Sequence, residues 1–355
     1  MYFNSIVIAL SGRFFEGLAS DNILHFNLNA IYVRTPNRGL VSRLIGASLA
    51  LFMIGISISP AVMGLFRNYV ASFFVALGIF AFSFFYLVIL VGNKHLPTTI
   101  KRDEPIGVTS GERYQRMHNR QSTWNVCPSV TRTLLSPLQP FYENPRSLTS
   151  GLALLLYNAV QSYIFPLIMV HTSLLFSFSS KQNGQLLSIA HAVSGGYLIL
   201  VLFVIPAASK RYHGPGKNME TRQNDRATGK RDAWFGLFSL LMQIVTLLGF
   251  ANASKPCEIY VLTAFLALGL ATPSFIKSHF LGYFPKNGAT KSVGALAMME
   301  TSGALLSPLV LGAWQTLSPG EGVFYGAAGM MSFAMVLFVA SFLAQDVMSP
   351  AESDS

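Results

Sequence analysis

Charge is what this chain of 355 residues has least of. Only 11% of it is Asp, Glu, Lys or Arg, where a soluble domain carries about a quarter. So few charges cannot hydrate a globular surface, which excludes a water-soluble globule and leaves lipid as the main solvent. Acid is scarcer than base, 15 against 25, for a net charge of +10. The cations sit in short loops between apolar runs, a pattern of membrane topology that excludes a phosphate-tracking face, so no nucleic acid partner is expected. Cysteine is nearly absent: Cys127 and Cys257 stand alone, and no Cys/His spacing suits a metal. The sequence also lacks a basic stretch ahead of its first apolar residues and a small-residue cleavage site, so no signal peptide is expected. No Ser/His/Asp set, His-x-x-Glu-His helix or carboxylate pair argues for catalysis. The run Asp225–Lys230, DRATGK, has no strand–turn–helix context for a phosphate. Neither an enzyme nor a bound cofactor is expected.

Apolar residues are what the chain has in excess, at 52% with a mean hydropathy of +0.47. They gather into nine runs, near 3–32, 43–66, 69–92, 150–176, 184–208, 233–251, 257–276, 292–314 and 322–345. Each approaches or exceeds the ~20 residues of a bilayer helix. Lipid satisfies no backbone N–H or C=O, so an all-α, multi-pass membrane protein follows. Alternate loops hold 21 of the 25 cations, Lys277 among them. The positive-inside bias puts those loops in the cytoplasm, with the N-terminus outside, the C-terminus inside, and Cys127 and Cys257 on opposite sides. The 94–147 loop is polar and punctuated by prolines, among them Pro105, Pro128, Pro137, Pro140 and Pro145, which suits a linker between two bundles. The 209–231 loop is polar and basic.

The organising feature is a repeat. Gly55–Gly64 reads GISISPAVMG and Gly303–Gly312 reads GALLSPLVLG, the same Gly-x3-Ser-Pro-x3-Gly displaced by 248 positions. Gly55, Ser59, Pro60 and Gly64 answer to Gly303, Ser307, Pro308 and Gly312. A proline in a span frees the carbonyl four residues back, and small residues let a neighbouring helix come close enough to cover the kink. The register predicts a duplicated unit, with Pro60 and Pro308 equivalent.

Charged residues at membrane depth are the candidate machinery. Arg13, Glu16 and Asp21 fall in the first run, where Arg13, Gly17 and Asp21 share one face at successive i, i+4 steps and Glu16 is within i+3 reach of Arg13. They fit a proton or solute relay or, equally, a structural ion pair. Glu300 stands as a lone carboxylate in the eighth run, three residues before the repeat. Desolvation disfavours its ionised form, which suits a proton carrier. Tyr157, Asn158 and Gln161 in the fourth run are candidates for a solute cavity, with interhelical hydrogen bonding the alternative. His191 reads as a packing histidine, and the sequon at Asn252 abuts a span.

Two local patterns carry a resemblance. Arg13-Phe14-Phe15-Glu16-Gly17 matches the Arg-x-x-Gln-Gly of a fourth helix, with Glu in place of Gln. Gly55, Pro60 and Gly64 match the Gly-x3-Gly-Pro-x2-Gly-Gly of a fifth helix, with Ser59 and Met63 replacing glycines. In these the chain resembles the major facilitator superfamily, in its proton-coupled multidrug- and tetracycline-exporter-like branch of fungal type. The resemblance implies that the nine spans correspond to family helices four to twelve, with helices one to three absent. Residues 1–93 are then the remnant of an N-terminal bundle, 94–147 a cytoplasmic linker, 148–345 a C-terminal six-helix bundle and 346–355 a tail. It further implies alternating access, with spans 43–66 and 292–314 at the bundle interface, and proton-coupled export of small organic solutes. Such a protein works as a monomer in a plasma or vacuolar membrane. The alternative is a transport-inactive paralogue serving as receptor or scaffold through its cytoplasmic loops.

Overall fold

A chain that must satisfy its backbone without water closes its hydrogen bonds within each segment, and that is what forms here. The computed structural model describes residues 38–63, 69–86, 138–207, 221–281, 289–317 and 320–346, with a few isolated positions. Every regular element among them is helical. In chain order these are α1 (Arg38–Met63), α2 (Tyr69–Tyr86), α3 (Gln139–Glu143), α4 (Pro145–Phe176), α5 (Ser180–Ile199), α6 (Thr221–Asn252), α7 (Pro256–Gly269), α8 (Thr272–Leu281), α9 (Ala289–Ser307), α10 (Ala313–Leu317) and α11 (Gly322–Asp346). A π-helical turn, Leu200–Val204, extends α5, and another, Pro308–Gly312, joins α9 to α10.

Seven helices are long and apolar enough to cross a membrane: Arg43–Pro60, Ser147–Phe176, Ser180–Ala207, Gly229–Asn252, Pro256–Leu281, Lys291–Leu317 and Gly322–Leu343. They coincide with seven of the nine expected runs. The run at 69–92 contains a shorter apolar helix, Phe74–Tyr86. The run at 3–32 lies almost wholly outside the described residues.

Local chemistry sets several boundaries. Ser179 caps α5 in a box with Gln182, each side chain bonding the other's backbone. Pro145 and Pro256 open α4 and α7, where a missing N–H costs nothing. Pro308 opens the second π turn, since its ring clashes with the carbonyl one turn back and the widened turn relieves it. Pro60, its counterpart in the repeat, sits inside the continuous helix α1. The two copies of the motif therefore differ locally.

The chain divides into two compact units, residues 1–61 with 137–355, and residues 62–136. The larger unit is built round α4, which packs on α9 and α11. Helix α6 packs on α11, α7 and α8, and α7 packs on α5. The bundle exposes apolar side chains and buries polar ones among those of its apolar core. Trp234, Phe238, Leu241, Val245 and Leu248 run down the exposed face of α6, while Ser239, Gln243 and Thr246 are buried on its other side. Lipid accepts the first set and neighbouring helices satisfy the second.

Helix α1 lies antiparallel on α5. The absent Cβ of Gly46 leaves room for the side chain of Leu202 in the first π turn. A Cβ on Gly195 would meet Ile54 Cγ1 at 2.9 Å and Ala50 O at 3.3 Å, and one on Gly184 would meet Pro60 Cβ at 3.8 Å. Three glycines thus mark one close helix–helix seam. At its other end α1 meets α9 through Val41, Ile45 and Val293.

Candidate functional site

Successive residues of a helix point about 100° apart, so three in a row can address three neighbours. Lys277, Ser278 and His279 on α8 do this. Lys277 Nζ donates to Glu300 Oε1 on α9 at 2.7 Å. Ser278 Oγ donates to Asp232 Oδ2 on α6 at 2.8 Å. His279 Nε2 lies 3.4 Å from Ser341 Oγ on α11 and 3.3 Å from Tyr283 Oη. Tyr283 Oη donates to the Ser341 carbonyl at 2.6 Å, and Ser341 Oγ in turn meets Ser150 Oγ of α4. One helix end therefore ties α4, α6, α9 and α11 together.

The Lys277–Glu300 pair has the greatest chemical scope. Both residues belong to membrane-length helices, Pro256–Leu281 and Lys291–Leu317. A single charge there is costly, and a neutral pair reduces that cost. Glu300 is thus paired, and Lys277, expected in a loop, is helical: α8 runs on to Leu281, five residues past the expected end of the span at 276. The side chains keep 14% and 16% of their surface open, so the pair is neither sealed nor freely hydrated. Asp232 differs. Its side chain is fully buried, held by Ser278 and by Arg231 at 3.1 Å.

The fourth-run candidates bond elsewhere, though Tyr157 lies within reach of the charge of Glu300. Tyr157 is fully buried, and its hydroxyl donates to the Gly269 carbonyl of α7 at 3.0 Å. Gln161 accepts from Gln243 Nε2 of α6 at 2.8 Å. A Cβ on Gly269 would lie 2.7 Å from Gln243 Oε1, so glycine is what lets that amide rest against the backbone of α7. Asn158 Nδ2 turns back to the Leu154 carbonyl of its own helix at 2.9 Å. Tyr157 and Gln161 thus act here as bonds between helices.

In the second copy of the repeat, Gly303 presses against the Leu155 carbonyl and lies beside Asn158, bringing α9 onto α4 backbone to backbone. Gly312 lies beside the Tyr163 ring, where a Cβ would sit at 3.4–3.5 Å, and Ser307 is fully buried. In the first copy Gly55 faces open space, Ser59 is exposed and Pro60 approaches Gly184. Gly64, Arg13, Glu16 and Asp21 lie outside the described residues. His191 Nδ1 donates to the Leu187 carbonyl at 2.8 Å, and its ring stacks on Phe165 at 5.0 Å. Asn252 is engaged by Leu248 O and Tyr325 Oη.

Lys277, Asp232, His279 and Gln243 are among the interior polar residues that sequence reasoning passed over. The first signal available was Lys277-Ser278-His279 continuing an apolar helix without a break. No family model matches the chain, and no curated protein matches it.

Proposed function

We propose that this protein moves small organic solutes across a membrane by alternating access, coupled to protons at Glu300. The observation that carries the reading is the Lys277–Glu300 pair joining two membrane-length helices while both side chains stay partly accessible. Charges at such positions are costly, and where they occur they commonly mark a pathway or a switch. Protonation of the carboxylate removes its attraction to the lysine and ionisation restores it, so the contact can be broken and remade. The glycine seam between α1 and α5 supports relative movement, because small residues leave flat surfaces with little interlocking. The π turn at Pro308 supports a hinge in the helix that carries Glu300. The sense of transport as export, and the plasma or vacuolar membrane as its place, rest on the resemblance alone.

The test is counterflow. The purified full chain in liposomes is loaded with unlabelled solute and offered the labelled form, with tetracycline, rhodamine and benzoate as first probes. Accumulation of at least one above protein-free liposomes is expected. If none accumulates, the receptor or scaffold alternative takes the place of transport.

A further inference from the structure

The sign of the charge left behind when Glu300 takes a proton decides what else can bind. With Glu300 ionised, its −1 and the +1 of Lys277 cancel across 2.7 Å. A proton on Glu300 leaves Lys277 as a single positive charge between α8 and α9, at a depth where an unpaired ion is strongly disfavoured. A second cation at the site would make this worse, whereas an anion would restore neutrality. From this charge balance we propose that Lys277 is the ligand-binding member of the pair, and that it takes the carboxylate of an anionic solute once Glu300 is protonated.

The surroundings agree with that assignment. Facing Glu300 are Lys277 from α8 and, from α4, Tyr157, within reach of its charge and already committed to the Gly269 carbonyl. His279, the other titratable residue of α8, is turned to Tyr283 and Ser341. Helix α1 reaches α9 at Val293, two turns before Glu300, through Val41 and Ile45. Among the described residues, then, no second cation is recorded in an ion pair with Glu300, and Asp232 is held by Ser278 and Arg231 on another side of α8. Lys277 and Glu300 keep 14% and 16% of their surface uncovered by protein.

This inference rests on the transport reading and turns its coupling round. A lone carboxylate would make a proton and a cationic solute compete, giving exchange. The pair makes a proton and an anionic solute bind together, giving co-transport.

Binding of benzoate and of benzylamine, matched in shape and opposite in charge, is measured by calorimetry on the full chain in detergent. Between about pH 8 and about pH 6 benzoate stays ionised. One linked proton predicts that its affinity for the wild-type protein rises up to tenfold per unit of acidification. Glu300→Gln should bind benzoate with an affinity independent of pH and at least as tight as wild type at about pH 6. Adding Lys277→Met to that variant should weaken benzoate at least tenfold, and benzylamine should gain nothing on acidification. The wild-type measurement stands even if a variant fails to fold. No benzoate binding by wild type, benzoate affinity flat with pH, or benzylamine favoured by acid would each overturn the proposal. Linked benzoate binding without counterflow of any probe would instead refute transport and leave the site standing.

Discussion

Glu300 and Lys277 stand 23 positions apart in sequence and 2.7 Å apart in space. Exposed pairs contribute at most ~1 kcal/mol, and breaking a sealed pair costs ~3 kcal/mol or more. At 14% and 16% exposure this pair belongs between those limits. Lys277→Met is expected to lower stability by about 2 kcal/mol, since it strands a carboxylate. The reversed pair, Lys277→Glu with Glu300→Lys, should recover more than half of that loss. Thermal unfolding in detergent measures both, and a reversed pair less stable than the single variant would mean that the charges do not interact. Glycine gives a second contrast at this scale. Gly303→Ala drives a methyl into the Leu155 carbonyl and should cost 1–3 kcal/mol, roughly the range for overpacking. Gly55→Ala, its counterpart in the repeat, meets nothing within 4 Å and should be neutral or stabilise by up to about 1 kcal/mol through helix propensity.

At the scale of elements, the seam between α1 and α5 is open to direct trapping. Ile54 and Gly195 approach closely enough that Ile54→Cys with Gly195→Cys should form a disulfide in membranes under mild oxidation. A pairing of Cys at 54 with Cys at 199, one turn along the helix, should not form. If the second pair forms and the first does not, α1 lies in a different register. This seam was not legible in the sequence. The repeat pointed to Gly55 and Gly64, yet the glycines that meet α1 from the other side are Gly184 and Gly195, which belong to no motif. The spans themselves were legible, because burial in lipid is written as composition: seven apolar runs became seven helices of spanning length. The interior bonds were not. Tyr157 bonds a carbonyl 112 residues away and Gln161 an amide 82 residues away, and no local spacing encodes such partners. Lys277 was misplaced for a related reason. A lysine near the end of an apolar run looks like a loop cation unless its counter-ion on another helix is known.

At the scale of the whole molecule, loop charge and helix placement make one claim about sidedness. The loop carrying Cys257 is expected outside and that carrying Cys127 inside. Cys257 is exposed at the start of α7, so an impermeant maleimide on intact cells should label it and spare Cys127. The reverse pattern would invert the topology. Orientation in turn decides from which side the Lys277–Glu300 pair can be charged with a proton. The most direct test of the account is solute-dependent proton movement in liposomes holding the full chain and an internal pH dye. The wild-type protein should carry protons when a solute that shows counterflow is added, and Glu300→Gln should carry none while counterflow at equal pH persists. Normal proton movement by Glu300→Gln would contradict the account and make Glu300 a structural acid.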